Sequence, residues 1–416
     1  MKKFVILLLV VCLILGGVVG YVVGKNGGMS IAEAPAPAKT PTVAPTEAPT
    51  EAPAETPSGE TDAAPAPAAP AELRTIDFEA IRALHDPDEV VGDVDGRAVT
   101  WGDYLYWLRS AGVQAESYLS SLAMYGQSLD WDDKISADSE QSFAEYVVEL
   151  AQDYVRQLCT LENFAEENGV ELSEEDEAAL AEQLAQDIVS ECGDGASEEE
   201  FFAKLAESWL SREMYERLNR FEPLYRASFA ALYGENGEKV SEEDAIAYLK
   251  DGSYLCASHI LFMTVDGSFE PLDEETVQKK LADAEAVSAE LRAIEDPAER
   301  ARRFAELKEQ YCEDTGREVY PDGYLFPEGT MVPEFEEGVH ALADYEVSEP
   351  ILSGYGYHVI MRLPLSAEME VFNAGADARR LFASEQFSAR FGSSFEQSVL
   401  TLSDEVAAFK LTDYLK

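Results

Sequence analysis

Four short clusters between residues 256 and 363 gather side chains of the types that do chemistry. Cys256-Ala257-Ser258-His259-Ile260-Leu261 sets a histidine in an apolar, strand-like run. Tyr311-Cys312-Glu313-Asp314 closes a helical pattern on a thiol and two carboxyls. The third cluster is Leu325-Phe326-Pro327-Glu328-Gly329-Thr330-Met331-Val332-Pro333-Glu334-Phe335, and the last is Gly354-Tyr355-Gly356-Tyr357-His358-Val359-Ile360. By residue type, His259, Asp314 and His358 make a conceivable metal set. No two of them stand at close ligand spacing, so no metal is expected. His259 and His358 equally fit a hydrogen-bonded pair in a core. On pattern alone, Phe326, Met331 and Phe335 read as ordinary core.

Taken in order and ending in GYHVI, the four clusters resemble the parvulin family of peptidyl-prolyl cis/trans isomerases. The match spans residues 246–365 and keeps the order strand, helices, loop, helix, strand, strand. The flanks resemble extracytoplasmic foldases of the PrsA and SurA type, through the stretch VVGDVDGRAVTWGDYLYWL and a split helical chaperone domain.

Rotation about an X–Pro bond meets a barrier of ~18–20 kcal/mol, because amide resonance is lost at the twisted geometry. No bond to the peptide is broken. An enzyme helps by seating the proline ring in an apolar pocket and by favouring the twisted amide over the planar one. The resemblance implies that Met331 and Phe335, four apart on one helix face, form that pocket with Phe326 from the loop. It implies that His259 and His358, in mid-strand positions, bond one another as the family's paired histidines. Asp314 takes a position held by Cys or Asp in relatives and tunes polarity near the twisting carbonyl, without acting as a nucleophile. Ser353 joins this network on the substrate side. No cofactor is implied.

Two departures bear on loop geometry. Tyr320-Pro321-Asp322-Gly323-Tyr324 stands where relatives often carry Gly-Gly-Asp-Leu-Gly, and Cys312 replaces a common serine. No Lys or Arg occurs between His259 and Lys279, so selectivity for phosphorylated Ser/Thr–Pro is not expected. His340 reads as structural.

These residues need elements to hold them. Tyr254–Val265 is strand-like, Glu274–Ile294 and Glu299–Tyr311 are helical, and a helix runs from Pro333 to about Leu342, with Pro333 in its first turn. Two short strands follow around Pro350 and Val359. Ahead of this region, residues 76–245 are helical in pattern. A hairpin with an Asp95-Gly96 turn leads to Thr100, which caps a helix through Leu108. Phe143, Val147, Leu150, Tyr154, Leu158 and Leu161 mark one long amphipathic helix that Gly169 ends. Ser173, Ser197 and Ser241 each open a helix with an acidic residue three positions on. Pro223 should kink or divide the helix from Arg212 to Tyr233. His85 is isolated and reads as a surface residue. After Glu370 a helix carrying Leu381, Phe382, Phe387, Phe391 and Phe395 needs a partner, and is expected to pack back on the preceding helical segment.

At the other end, Lys2-Lys3 precedes an uncharged run from Phe4 to Val23. About 20 apolar residues match a ~30 Å hydrocarbon core, so a single membrane span with the bulk of the chain outside is expected. A cleaved secretory signal or a lipoprotein signal at Cys12 are the alternatives, and all three export the chain. Residues 31–73, rich in Ala, Pro, Thr and Glu, read as a disordered, semi-rigid spacer.

The 416 residues carry a net charge of −50, which excludes nucleic acid as a partner. Cys159, Cys192, Cys256 and Cys312 show no CxxC spacing, and neither a disulfide framework nor a structural zinc site is signalled.

The expected architecture is α+β: a small, mostly antiparallel parvulin sheet with surrounding helices, inserted in an α-helical chaperone domain. The segments are 1–30 membrane anchor, 31–75 linker, 76–245 chaperone domain, 246–365 isomerase domain, and 366–416 helical return. The expected function is isomerisation and chaperoning of unfolded or partly folded exported proteins with X–Pro bonds, at the outer face of the cell membrane. The alternatives are a holdase that uses the parvulin fold only for binding, and a surface scaffold that has borrowed it.

Overall fold

The computed structural model describes residues 73–124, 129–136 and 139–416. The expected span at residues 4–23 and nearly all of the 31–75 linker lie outside the described residues. No helix among the described residues is long and apolar enough to cross a membrane. The described chain divides into two compact units.

The first unit takes residues 73–160, 173–220 and 398–416. Helix α1 (Phe78–Arg82) leads to strands β1 (Val90–Val94) and β2 (Arg97–Thr100). Their turn has φ of 50° at Asp95 and 88° at Gly96, the left-handed pair that an Asp-Gly hairpin turn requires. A short strand, Leu400–Leu402, pairs antiparallel with β1 on its other edge. Gly92 allows this approach, since a Cβ there would lie 2.1 Å from the Thr401 carbonyl oxygen.

Helix α2 (Trp101–Met124) opens on a reciprocal cap in which Thr100 Oγ1 and the Asp103 carboxylate each accept the other's backbone N–H at 3.1 Å. It runs well past the expected end at Leu108. Gly112 does not break it, because Ile76 and Phe78 pack where a side chain would stand. Helix α3 (Phe143–Glu167) buries all six residues of the expected stripe. Helices α4 (Glu174–Cys192) and α5 (Glu198–Glu207) begin on full capping boxes at Ser173 and Ser197. Helix α6 (Arg212–Tyr233) continues through Pro223 without division. The proline removes one N–H from the ladder, and the turns on either side hold the helix.

His85 is not the isolated surface residue its sequence context suggests. Its side chain is 9% exposed, with the ring edge-on to Trp101 at 4.8 Å and Nδ1 3.0 Å from Glu89.

The second unit takes residues 161–172 and 221–397. After α7 (Glu242–Asp251) come β3 (Tyr254–Met263), α8 (Glu274–Arg292), α9 (Pro297–Tyr311), β4 (Tyr324–Pro327), α10 (Pro333–His340), β5 (Ile351–Leu352), β6 (Gly356–Arg362) and α11 (Ala378–Gln397). The four strands form an antiparallel sheet in the order β4-β3-β6-β5.

Alternation along β3 and β6 sorts the sheet's two faces. Ile260, Phe262, Val359 and Met361 pack with Leu291 of α8 and Phe304 of α9. Leu255, Ala257 and Ile360 pack with Phe326, Phe335 and Val339. Helix α11 buries Phe387 against Phe164 at 5.9 Å, Tyr225 at 4.8 Å and Phe229 at 5.6 Å, all edge-on. Such contacts contribute about 0.5–1.5 kcal/mol each beyond the area they bury.

Two site residues sit on different elements from those expected. Phe326 lies in strand β4 rather than in a loop. Met331 precedes α10, because Pro333 holds Val332 in an extended conformation with ψ of 141° and the helix starts only there.

Candidate active site

In the β3–β6 register His259 pairs with Ile360, and Leu261 with His358. The two histidines are therefore diagonal neighbours on one face, within reach of each other's rings. Their Nδ1 atoms lie 2.9 Å apart, and both residues are buried. His259 Nε2 lies 2.9 Å from Asp314 Oδ2, and His358 Nε2 lies 2.7 Å from Ser353 Oγ. Each of the four ring nitrogens thus has a partner.

Asp314 follows α9 and caps a short 3-10 turn, Thr315–Glu318, where its Oδ1 accepts the Gly316 N–H at 2.9 Å. Its Oδ2 accepts the Tyr324 hydroxyl at 2.5 Å. Burial alone would raise this carboxyl, but hydrogen bonds from His259 and Tyr324 outweigh it and hold Asp314 well below the usual carboxylate range. Burial, with His259 beside it, pushes His358 down to about 3. Burial and the Asp314 carboxylate push the Tyr324 hydroxyl up. At neutral pH the line runs from an ionised Asp314 to a neutral His358.

The apolar side of the site stands against these rings. Phe335 is edge-on to His259 at 5.2 Å and to His358 at 5.6 Å. Phe326 lies behind Phe335 at 6.1 Å and is fully buried, so it shapes the pocket from beneath. Met331 packs on the same cluster and is partly exposed. Its backbone N–H and that of Gly329 both donate to the Glu336 carboxylate, at 2.8 and 3.0 Å. Ser353 is buried and accepts the Tyr355 N–H at 3.1 Å, which makes it a network member more than a contact surface.

Three residues bear on the site without having been singled out from the sequence. Tyr324 bonds Asp314; its signal was its place in the stretch Tyr320–Tyr324 that departs from the family pattern. Glu336 fixes the turn that carries Met331. Lys308, buried on α9, donates to Ser258 Oγ at 3.1 Å and to the Pro321 carbonyl at 2.9 Å, tying the 320s loop to β3. Cys312 is a buried thiol that lies 3.4 Å from the Leu261 N–H, and burial raises it. Among the described residues Cys159, Cys192, Cys256 and Cys312 form no disulfide. His340 lies at the surface, 2.9 Å from Glu328.

Residues 259–363 match the family model described as Rotamase: PPIC-type PPIASE domain. This segment is a parvulin-type peptidyl-prolyl isomerase domain. The match begins on His259 and encloses Asp314, the pocket residues, Ser353 and His358.

Three curated relatives are similar to the chain. Foldase protein PrsA 1 of Bacillus cereus is 41% identical over 73 residues, which are 17% of this chain and 26% of the relative. Foldase protein PrsA of Halalkalibacterium halodurans is 36% identical over 130 residues, 30% of this chain and 32% of the relative. Foldase protein PrsA of Oceanobacillus iheyensis is 28% identical over 187 residues, 45% of this chain and 54% of the relative. In each case the chain spans less than two thirds of the relative's length.

Proposed function

We propose that the protein is a peptidyl-prolyl cis/trans isomerase and chaperone that assists the folding of exported proteins outside the cytoplasmic membrane. The observation that carries this reading is the unbroken line from Ser353 through His358, His259 and Asp314 to Tyr324, laid against the ring of Phe335. A proline ring sits on Met331 and Phe335, supported by Phe326. The planar amide owes its stiffness to a resonance form with negative charge on the carbonyl oxygen. An ionised Asp314 near that oxygen disfavours this form, and so favours the twisted amide over the planar one. His259, His358 and Ser353 hold the carboxylate's surroundings fixed, and no group on the peptide is attacked.

In this reading residues 246–365 are an isomerase module inserted in a helical chaperone body made of residues 76–245 and 366–416. Residues 4–23 tether the protein to the membrane, with the spacer lifting the folded part away from it. N-terminal sequencing of membrane-extracted protein should find the apolar run retained; a start near residues 33–36 overturns the tether.

The decisive experiment measures catalysed cis/trans exchange on a short unphosphorylated X–Pro peptide by the full chain in detergent, beside affinity for the same peptide. Catalysis that Asp314→Ala lowers while much of the binding remains supports the proposal. Binding with no catalysis by the wild-type protein replaces it with the holdase.

A further inference from the structure

Between β3 and α8 the chain makes a tight outward turn, residues 264–273. At its tip Phe269 is 67% exposed and held at a φ of 61°, a left-handed backbone that bulky residues rarely adopt. Asp266 fixes it there. Its Oδ1 accepts the N–H groups of Ser268 and Glu270 at 2.8 and 3.0 Å, and its carbonyl accepts that of Phe269 at 2.9 Å. The base of the turn is closed by Leu272 N–H donating to the Thr264 carbonyl at 2.9 Å. Beside Phe269, with ring centroids 6.1 Å apart at 69°, stands Tyr355, itself 44% exposed. An aromatic pair is thus built rigidly and left facing water.

This pair is continuous with the reaction site. The Tyr355 carbonyl accepts the Thr264 N–H at 3.0 Å, and its N–H donates to Ser353 Oγ at 3.1 Å. Ser353 Oγ in turn lies 2.7 Å from His358 Nε2. Phe335, where the proline ring is seated, stands edge-on to the same His358 at 5.6 Å. An extended peptide advances about 3.3 Å per residue, so a residue close to the proline reaches past the histidines to the aromatic pair.

We infer that Phe269 and Tyr355 form a side-chain subsite that takes an apolar or aromatic residue one or two positions from the proline of the substrate peptide. The inference rests on the isomerase reading above and names the substrate class within it. The chemistry of the pair selects that class. Two edge-to-face rings leave apolar surface for a third ring or an aliphatic chain to cover. The nearby Asp266 carboxylate already accepts two backbone N–H groups, and the stretch between His259 and Lys279 carries no Lys or Arg for an anionic residue.

The test uses the full chain and an X–Pro peptide series in which Ala, Phe, Lys or Glu occupies each of the two positions on either side of the proline. Catalytic efficiency and affinity are both measured, for the wild type, for Tyr355→Ser, and for Phe269→Asn, which tolerates the left-handed turn. The wild type should prefer Phe over Ala at one of these positions by about 3- to 10-fold, the factor an aromatic contact supplies. Each variant should bring that ratio close to one, chiefly by loss on the Phe peptide, with thermal unfolding unchanged. No preference for Phe at any position, a greater preference for Lys or Glu, or a ratio that survives both substitutions overturns the subsite. If no peptide is isomerised, the isomerase reading fails, and the same ratios in affinity decide the subsite alone.

Discussion

His259 and His358 face each other through their Nδ1 atoms at 2.9 Å, a gap that holds one proton and not two. Asp314 is ionised, so His259 Nε2 carries a proton and donates it. With His259 neutral, its Nδ1 accepts from His358 Nδ1–H, and His358 Nε2 accepts from the Ser353 hydroxyl. Every donor along the line then points toward Asp314. Nitrogen NMR of the labelled protein at neutral pH should find His358 as the Nδ1–H tautomer and His259 as Nε2–H. Any other pair of tautomers contradicts this ordering.

The depressed His358 gives the domain an acid limit. Its unfolded form takes up a proton near 6.5, whereas its folded form does so near 3, so the unfolded chain binds more protons between these values. The stabilisation is complete above about pH 6.5 and is lost as pH falls toward 3. Chemical unfolding of the wild type and His358→Asn should show a constant difference above pH 6.5. That difference should shrink by on the order of 2–3 kcal/mol by pH 4.5. A constant gap throughout would show that His358 is not buried neutral.

Tyr324→Phe removes one donor from the Asp314 carboxylate and leaves the ring packing in place. A hydrogen bond to a charged group contributes about 1.5–3 kcal/mol, so the carboxyl should rise from its depressed value. The acid limb of kcat/KM should move to higher pH, with KM nearly unchanged. An unmoved limb would mean that Asp314 does not govern the rate.

The pocket substitutions separate by burial. Phe335 is 3% exposed, and Phe335→Ala should cost about 3–5 kcal/mol of stability along with activity. Met331 is partly exposed, so Met331→Ala should weaken peptide binding with much less structural damage. Thermal unfolding beside peptide titration distinguishes the two, and equal damage from both would refute the assignment.

Cys312→Ser should change activity less than either pocket truncation. The Cys312 thiol lies near backbone groups of Leu261 and His259, which a serine hydroxyl can also bond. Loss of turnover equal to that of Asp314→Ala would give Cys312 a part in the reaction.

What was legible in the sequence was local or periodic. The strand-like runs around His259 and His358 put them mid-strand, and the antiparallel register then brought them to one face. Asp95-Gly96, Ser173, Ser197 and Pro333 announced their turns and helix starts, because each satisfies or spares backbone groups within a few positions. Met331 was misplaced on a helix although the signal against it was present, since a residue before proline avoids the helical region. The bond between Tyr324 and Asp314 depends on how the intervening turn folds, and Lys308 and Phe372 help to set that turn from separate elements. His85 looked isolated because its neighbour Trp101 lies beyond a hairpin. Contacts of this kind depend on packing that residue spacing does not encode.

The strand Leu400–Leu402 has a consequence for the order in which the protein takes shape. It completes the β2-β1 hairpin's small sheet, and nearby the Thr75 and Lys416 backbones exchange two hydrogen bonds at 2.8 and 2.9 Å. The Asp95 side chain accepts the Val399 N–H across 304 positions of chain. In a chain made from its N-terminus, β1 appears long before residues 400–402 and presents an open edge until they follow. Contacts so distant in sequence close slowly. This small sheet is therefore begun early and closed late, and in the interval its bare strand edge is open to mispairing.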